Sequence, residues 1–145
     1  FLLQSMGVLS WTGLGTWWEI TCTVATASAV VLSGGPSSTD VLTVDDDLWV
    51  YVNGTEVFKN NDFFASPLPP VSLTLKNGDK LRIVASDTIG VCRSIGPLHL
   101  HRVSDGSSQT LDAVGISFGC PTPPFPAQAG PGENFYDKTF TVDIP

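Results

Sequence analysis

The stretch Val44-Asp45-Asp46-Asp47-Leu48-Trp49-Val50-Tyr51-Val52-Asn53-Gly54 decides the reading of this chain. Three consecutive carboxylates run into an apolar segment, and the segment runs into an Asn-Gly pair. Asp is depleted in strands, so strand propensity does not account for Asp45, Asp46 and Asp47. Neighbouring like charges repel unless something positive sits among them. The apolar run would draw the triplet against a packed core, where an uncompensated charge is costly. Ca²⁺ takes roughly six to eight oxygen ligands and fits clustered carboxylates. Asp45, Asp46 and Asp47 are therefore read as calcium ligands, with Asp87 or Asp62 completing the set; the plainer reading is a solvated acidic loop before a strand.

Working outward, the pattern is of strands and turns with no convincing helix. Trp17 to Ala25 alternates, with Trp18, Ile20, Cys22 and Val24 on one face. Ala29 to Leu32 is apolar and ends at Gly34-Gly35-Pro36. Asp40 to Val44 and Leu48 to Val52 form the acid-flanked strand, and Asn53-Gly54 is a two-residue hairpin turn with Thr55 to Lys59 returning. Val71–Leu75 and Lys80–Ser86 around Asn77-Gly78-Asp79 read as a second hairpin. Pro97–Val103 and Gln109–Phe118 around Ser104-Asp105-Gly106 read as a third. Residues 121–131 are proline-rich and extended. Lys138 to Ile144 alternates Phe140, Val142 and Ile144 as a closing strand. The expected fold is an all-β, antiparallel, jelly-roll-like β-sandwich in a single domain. Residues 15–145 form the sandwich, and 1–14 an apolar N-terminal strand or arm.

The residues from Asp45 to Gly54, followed by Glu56-Val57-Phe58, resemble the signature of fibro-slime domains and of the related protective-antigen-type β-sandwich domains. The shared pattern is an acidic pair or triplet, an apolar strand, a turn and a second apolar strand, matched here over about 15 residues. The resemblance implies a secreted jelly-roll-like sandwich that often binds calcium, and sometimes a sugar, through the acidic pair.

Composition narrows the class. The chain has 145 residues, 42% of them aliphatic or aromatic, which is enough for a single core. Only 14% are charged, and 14 Gly with 11 Pro suit many short strands and turns. A net charge of −7 with seven unclustered Lys and Arg argues against nucleic acid. No apolar run approaches the roughly 18 residues of a membrane span. Phe1-Leu2-Leu3 lacks the basic flank of a signal peptide, so any signal is expected to be already removed. Cys22, Cys92 and Cys120 have no C-x-x-C spacing. Cys92 and Cys120 sit in Gly/Pro-punctuated segments and are the preferred disulfide, with Cys22 buried and free as a small hydrophobe.

Chemistry for catalysis is thin. His99 and His101 project from one face of a strand, but a transition-metal site needs further ligands and there is no other His. They read as exposed residues on a polar face. No G-x-S-x-G elbow, phosphate loop or dinucleotide fingerprint is present. Asn53-Gly54-Thr55 is an N-x-T sequon at the expected hairpin tip, so Asn53 is a glycosylation candidate. The first 14 residues are uncharged and apolar on both faces, with Leu3, Val8, Leu9 and Trp11 among the large side chains. Such a segment is either a strand of its own sheet or an arm completing a neighbour's sheet, and head-to-tail strand addition builds a filament. The expectation is a secreted or cell-surface, non-enzymatic structural subunit of an extracellular fibre or matrix, calcium-stabilised and assembling with copies of itself. The alternative is a calcium-dependent carbohydrate-binding module, in which the ion with Asn53 or Phe63 holds sugar hydroxyls.

Overall fold

The structure is a computed structural model and describes residues 25–45, 47–61, 67–87, 93–118 and 133–145, with the side chains of Asp87, Phe118 and Glu133 excepted. The expected strand at 17–25 up to Val24, the arm at 1–14 with Leu3, Val8, Leu9 and Trp11, the domain boundary after residue 14, and the proline-rich 121–131 lie outside the described residues. So do Cys22, Cys92 and Cys120.

The described residues are all-β, without a helix, and the strands pair into three antiparallel sheets, consistent with a β-sandwich. The strands are β1 (Ser28–Ser33), β2 (Val44–Asp45), β3 (Asp47–Val52), β4 (Thr55–Asn60), β5 (Val71–Leu75), β6 (Lys80–Asp87), β7 (Arg93–Ile95), β8 (Leu98–Arg102), β9 (Ser108–Asp112), β10 (Ile116–Phe118) and β11 (Glu133–Thr141). One sheet has the order β5-β1-β8-β9, a second β11-β6-β3-β4, and a three-stranded sheet β10-β7-β2.

Period-two patterning builds the core. Val71, Leu73 and Leu75 are buried while Ser72 and Thr74 are exposed. Val30 and Leu32 of β1, Leu48 and Val50 of β3, Leu81, Ile83 and Ala85 of β6, and Leu98 and Leu100 of β8 join them, with Val44 and Ile95 from the small sheet, in one continuous cluster. At about 1.5–3 kcal/mol for each large apolar side chain, this burial is the main favourable term.

The Asn53-Gly54 hairpin is as expected. Both residues have positive φ, 50° and 84°, which a two-residue turn matched to strand twist requires. The expected hairpin around Asn77-Gly78-Asp79 is not one. β5 pairs with β1, and β6 pairs with β3 and β11, so the connection crosses between sheets. The turn keeps its own bond from Asp79 N–H to the Lys76 carbonyl and is tied to the C-terminal segment besides: Gly78 N–H donates to the Val142 carbonyl, and Val142 N–H to the Asp79 carbonyl. The Asp79 carboxylate caps the Lys76 N–H at 3.0 Å. Two further expectations change. Asp40–Val44 is not one strand: Leu42 makes a single bridge to Leu68, and β2 begins at Val44. The expected strand at 109–118 breaks into β9 and β10 at Gly115, whose φ is 71° and where a Cβ would fall 2.1 Å from the Ile95 carbonyl oxygen.

The closing strand starts earlier and stops sooner than the alternation suggests, at Thr141 rather than Ile144. Beyond it, side chains replace a partner strand. Gln109 pairs with the Thr141 carbonyl and the Asp143 N–H, and Asn77 with both backbone groups of Ile144. Arg102 donates to the carbonyls of Ile144 and Pro145. Val142 and Ile144 can then be buried without orphaned backbone groups.

The carboxylate of Asp112 joins all three sheets. Ending β9, its Oδ1 accepts from Val114 N and Gly115 N at 3.2 and 3.0 Å, shaping the turn into β10. Its Oδ2 accepts from Tyr136 Oη at 3.1 Å and Lys138 Nζ at 2.7 Å, both on β11. The Lys138 hydrogen bond, then the two backbone N–H groups, hold its pKa at about 2, against an ordinary 3.8. Burial, with the Asp112 charge behind it, pushes the Tyr136 phenol up. Because the folded-state pKa is depressed, the stability that Asp112 contributes is complete above the unfolded value and is lost as pH falls toward 2. Urea midpoints of the wild-type protein should therefore drop steeply between about pH 4 and pH 2. Asp112→Asn should be less stable at neutral pH and show a shallower acid slope; parallel slopes for the two proteins would remove this role.

Candidate functional site

The acidic triplet turns a corner. Asp45 ends β2 opposite Ser94 in the three-stranded sheet, whereas Asp47 begins β3 opposite Ser86 in a four-stranded one. Asp47 is buried, and its Oδ2 accepts from Ser86 Oγ at 3.5 Å. Asp87 follows Ser86 on β6, so its backbone comes beside the start of β3. Asp46 and Asp62 lie outside the described residues. Among the described residues no group of three or more His, Cys, Asp or Glu is placed to hold a metal ion. Asp45 and Asp47 alone supply too few oxygens for calcium. The calcium expectation thus rests on Asp46, Asp62 and the Asp87 side chain.

The histidines depart from expectation. They stack with ring centroids 6.2 Å apart, but His101 is buried rather than exposed. Its Nε2 lies 2.9 Å from Ser33 Oγ and 3.2 Å from the Gly35 carbonyl oxygen, and Ser33 Oγ–H donates to that same carbonyl at 2.9 Å. All three groups are satisfied when Nε2 carries the proton and donates. That tautomer cannot take a proton from Ser33 as a general base must. Ser33 is itself fully buried. The pair locks the loop after β1 onto β8, because a buried polar group needs its partner. His99 is half-buried, with Nδ1 3.2 Å from Thr110 Oγ1.

The outer face of the β11-β6-β3-β4 sheet is more open. Trp49 and Tyr51 alternate with the core residues of β3, and both are half-buried on this face. Register puts Trp49 between Lys59 and Val84, and Tyr51 between Glu56 and Arg82; Arg82 is in turn opposite Thr139, and Lys80 opposite Thr141. An open cleft of about 500 Å³ is lined by Tyr51, Asn53, Gly54, Lys80, Arg82 and Thr139. The guanidinium of Arg82 lies 5.5 Å from the Tyr51 ring centre. Its Nε and Nη2 grip the two oxygens of Asp137 at 2.8 and 2.6 Å. The hydrogen bond and charge of Asp137 raise the Arg82 pKa, and Arg82 lowers that of Asp137. A half-exposed pair of this kind adds little to stability, and its effect is to hold the guanidinium in place. Lys80 Nζ donates to Thr141 Oγ1 at 2.7 Å.

Asn53 borders the cleft but its amide is occupied. Oδ1 accepts from Lys80 N at 2.9 Å, and Nδ2 donates to Asp79 Oδ1 at 3.0 Å. The sequence shows Asn53 as a turn residue and glycosylation candidate but not this linkage between the hairpin tip and β6. The cleft was also missed. The alternation of Trp49 with Tyr51, and of Lys80 with Arg82, was legible, whereas the register that sets Tyr51 beside Arg82 was not. Comparison with known proteins adds no relative: no family model, curated protein or solved structure matches the chain.

The hydrogen bond from Asn53 is the first cause of the lowered pKa of Asp79, followed by that from the Lys76 N–H. Asn53→Ala should therefore raise the Asp79 pKa toward 3.8, followed by NMR titration. It should also cost about 1–3 kcal/mol through the lost bonds and the positive φ. Asn53→Gly, which tolerates that φ, should raise the pKa equally at smaller cost in stability. An unmoved Asp79 pKa in both variants would show that the linkage is not formed in solution.

Proposed function

We propose that this chain is a secreted, non-enzymatic β-sandwich module of jelly-roll-like topology that binds saccharide on the outer face of the β11-β6-β3-β4 sheet. The observation that carries the reading is the Tyr51 ring in an open cleft bordered by Arg82, Lys80 and Thr139. A sugar ring presents an apolar C–H face and a rim of hydroxyls. A half-buried aromatic ring covers the first, and convergent polar side chains bond the second. Trp49 and Val84 continue the apolar floor along the face, next to Tyr51 and Arg82. Asn53 is tied to Lys80 and Asp79, and Phe63 lies outside the described residues, so in this reading Tyr51 is the residue that meets the sugar. A glycan array probed with the domain should show saccharide binding that Tyr51→Ala weakens at least tenfold with an unchanged melting curve. Binding of no saccharide, or binding indifferent to Tyr51→Ala, would overturn the reading.

A second reading, the subunit of an extracellular fibre, is favoured by β4. Among the described residues β4 pairs only with β3, and most of it is exposed, so its outer backbone edge is open to an added strand. The donor would be residues 1–14 of another copy, anchored by Leu3, Val8, Leu9 and Trp11. Polymers that disappear when residues 1–14 are deleted support it; a chain that stays monomeric at high concentration removes it.

Calcium enters both readings as a staple at the corner of Asp45, Asp46 and Asp47, with Asp87 or Asp62. The register also brings Arg93 to this corner, one residue before Ser94, the partner of Asp45. Ion binding to the native state alone stabilises it by about 2.7 kcal/mol at a hundredfold excess over Kd. Excess chelator, or Asp46→Ala in calcium, should then lower Tm by roughly 5–10 °C. A melting curve unmoved by chelator would remove calcium and leave charge compensation to Arg93.

A further inference from the structure

We infer that the saccharide taken by this face is an acidic one, whose carboxylate is received by Arg82 and Lys80; the inference rests on the saccharide reading and names its ligand class. The chain carries a net charge of −7 and only seven Lys and Arg. Three of those seven, Lys59, Lys80 and Arg82, stand on the outer face of this one sheet. Two of the three, Lys80 and Arg82, line the cleft. They are two residues apart on β6 and so share a face, roughly 7 Å apart along the strand.

Their donors are only partly used. Arg82 spends Nε and Nη2 on Asp137, while its Nη1 makes no hydrogen bond to a described residue. Lys80 gives one proton to Thr141, and among the described residues no partner takes the other two. Of the carboxylates on this face among the described residues, Asp137 has both oxygens engaged by Arg82, and Glu56 stands on the far side of Tyr51, on β4. The guanidinium is thus oriented by a fixed internal anion and by the Tyr51 ring, with its remaining edge turned to a ligand. A planar carboxylate offers two oxygens, one for Arg82 Nη1 and one for the Lys80 ammonium, and charge-assisted bonds of this kind are the strong ones. Tyr51 lies on the other side of Arg82 from Thr139, in one cross-strand row. A pyranose ring stacked on Tyr51 would carry its carboxylate toward the cations and its hydroxyls toward Thr139. Arg82 already has Asp137 as its counter-charge, whereas Lys80 forms no ion pair with a described residue, so a neutral sugar would offer the ammonium nothing that a carboxylate does, which is the source of the discrimination.

The test uses the intact domain with trigalacturonate and its fully methyl-esterified form, titrated by calorimetry, beside a panel of neutral oligosaccharides. The acid should bind at least tenfold more tightly than the ester, with a preference that falls as salt rises. Lys80→Gln and Arg82→Gln should each reduce that preference at least fivefold. Tyr51→Ala should weaken acid and ester alike. Lys80→Gln leaves the Arg82–Asp137 pair in place, so it reads the charge even if Arg82→Gln loosens the sheet. Equal affinity for acid and ester, or binding confined to neutral oligosaccharides, overturns the carboxylate assignment and leaves saccharide binding standing. Binding of no saccharide overturns both.

Discussion

The three sheets are tied to one another at one carboxylate, that of Asp112. Three separate sheets meet around a single core, and apolar burial alone does not specify how they are oriented. Asp112 ends a strand of the first sheet, shapes the turn that begins a strand of the second, and accepts hydrogen bonds from Tyr136 and Lys138 of the third. Tyr136 is among the largest fully buried side chains, so its hydroxyl must find an acceptor or carry a desolvation penalty of about 1–3 kcal/mol. The Lys138 ammonium lies 4.9 Å from the Tyr136 ring centre, so the cation covers the phenol as it neutralises the acid. Both oxygens of the carboxylate are used, which fixes directions as well as contacts.

From that junction the sheet carrying the cleft follows. β11 is held on one side of β6 and β3 on the other, and their registers set which side chains become neighbours. Tyr51, Arg82 and Thr139 form a row because they occupy matched positions on three strands that are far apart in the chain. The Asn53-Gly54 turn closes the end of this row, and its amide fixes the turn to β6 through Lys80 and Asp79. The cleft is therefore built on strands and a pinned turn, which keep donors in place better than a free loop would.

Polar groups in this molecule fall into two kinds. Ser33, His101, Asp79, Asn77, Gln109 and Asp112 are consumed by the fold, and each satisfies a buried or turning piece of backbone or a buried partner. Arg82 and Lys80 retain donors. Residue type does not tell these kinds apart. His101 on a strand beside His99 has the spacing of a metal or catalytic pair, yet its nitrogen is occupied by Ser33 and Gly35. Arg82 looks like an ordinary surface cation, yet it is held between Tyr51 and Asp137 with one edge unspent.

The sequence alone determined the all-β character, the strands at 28–33, 47–52, 55–60, 71–75 and 80–87 to within a residue or two, and the Asn53-Gly54 hairpin. These are local properties: side chains alternate with period two along a strand, and a two-residue turn needs positive φ at both positions. The sequence also marked Asp45, Asp46 and Asp47 as an anomaly, because clustered charge beside an apolar run has a cost wherever it folds. Tertiary structure decided the rest. Asn77-Gly78 looks like the tip of a hairpin, but its flanking strands pair in different sheets and the turn is tied to Val142 instead. The run from Gln109 to Phe118 looks continuous until Gly115 must pass against the Ile95 carbonyl. The split of the aspartates between two sheets, the burial of His101 and the row that forms the cleft all depend on pairing between distant strands. That pairing is chosen by the combined packing of three sheets, and no local stretch of the chain encodes it.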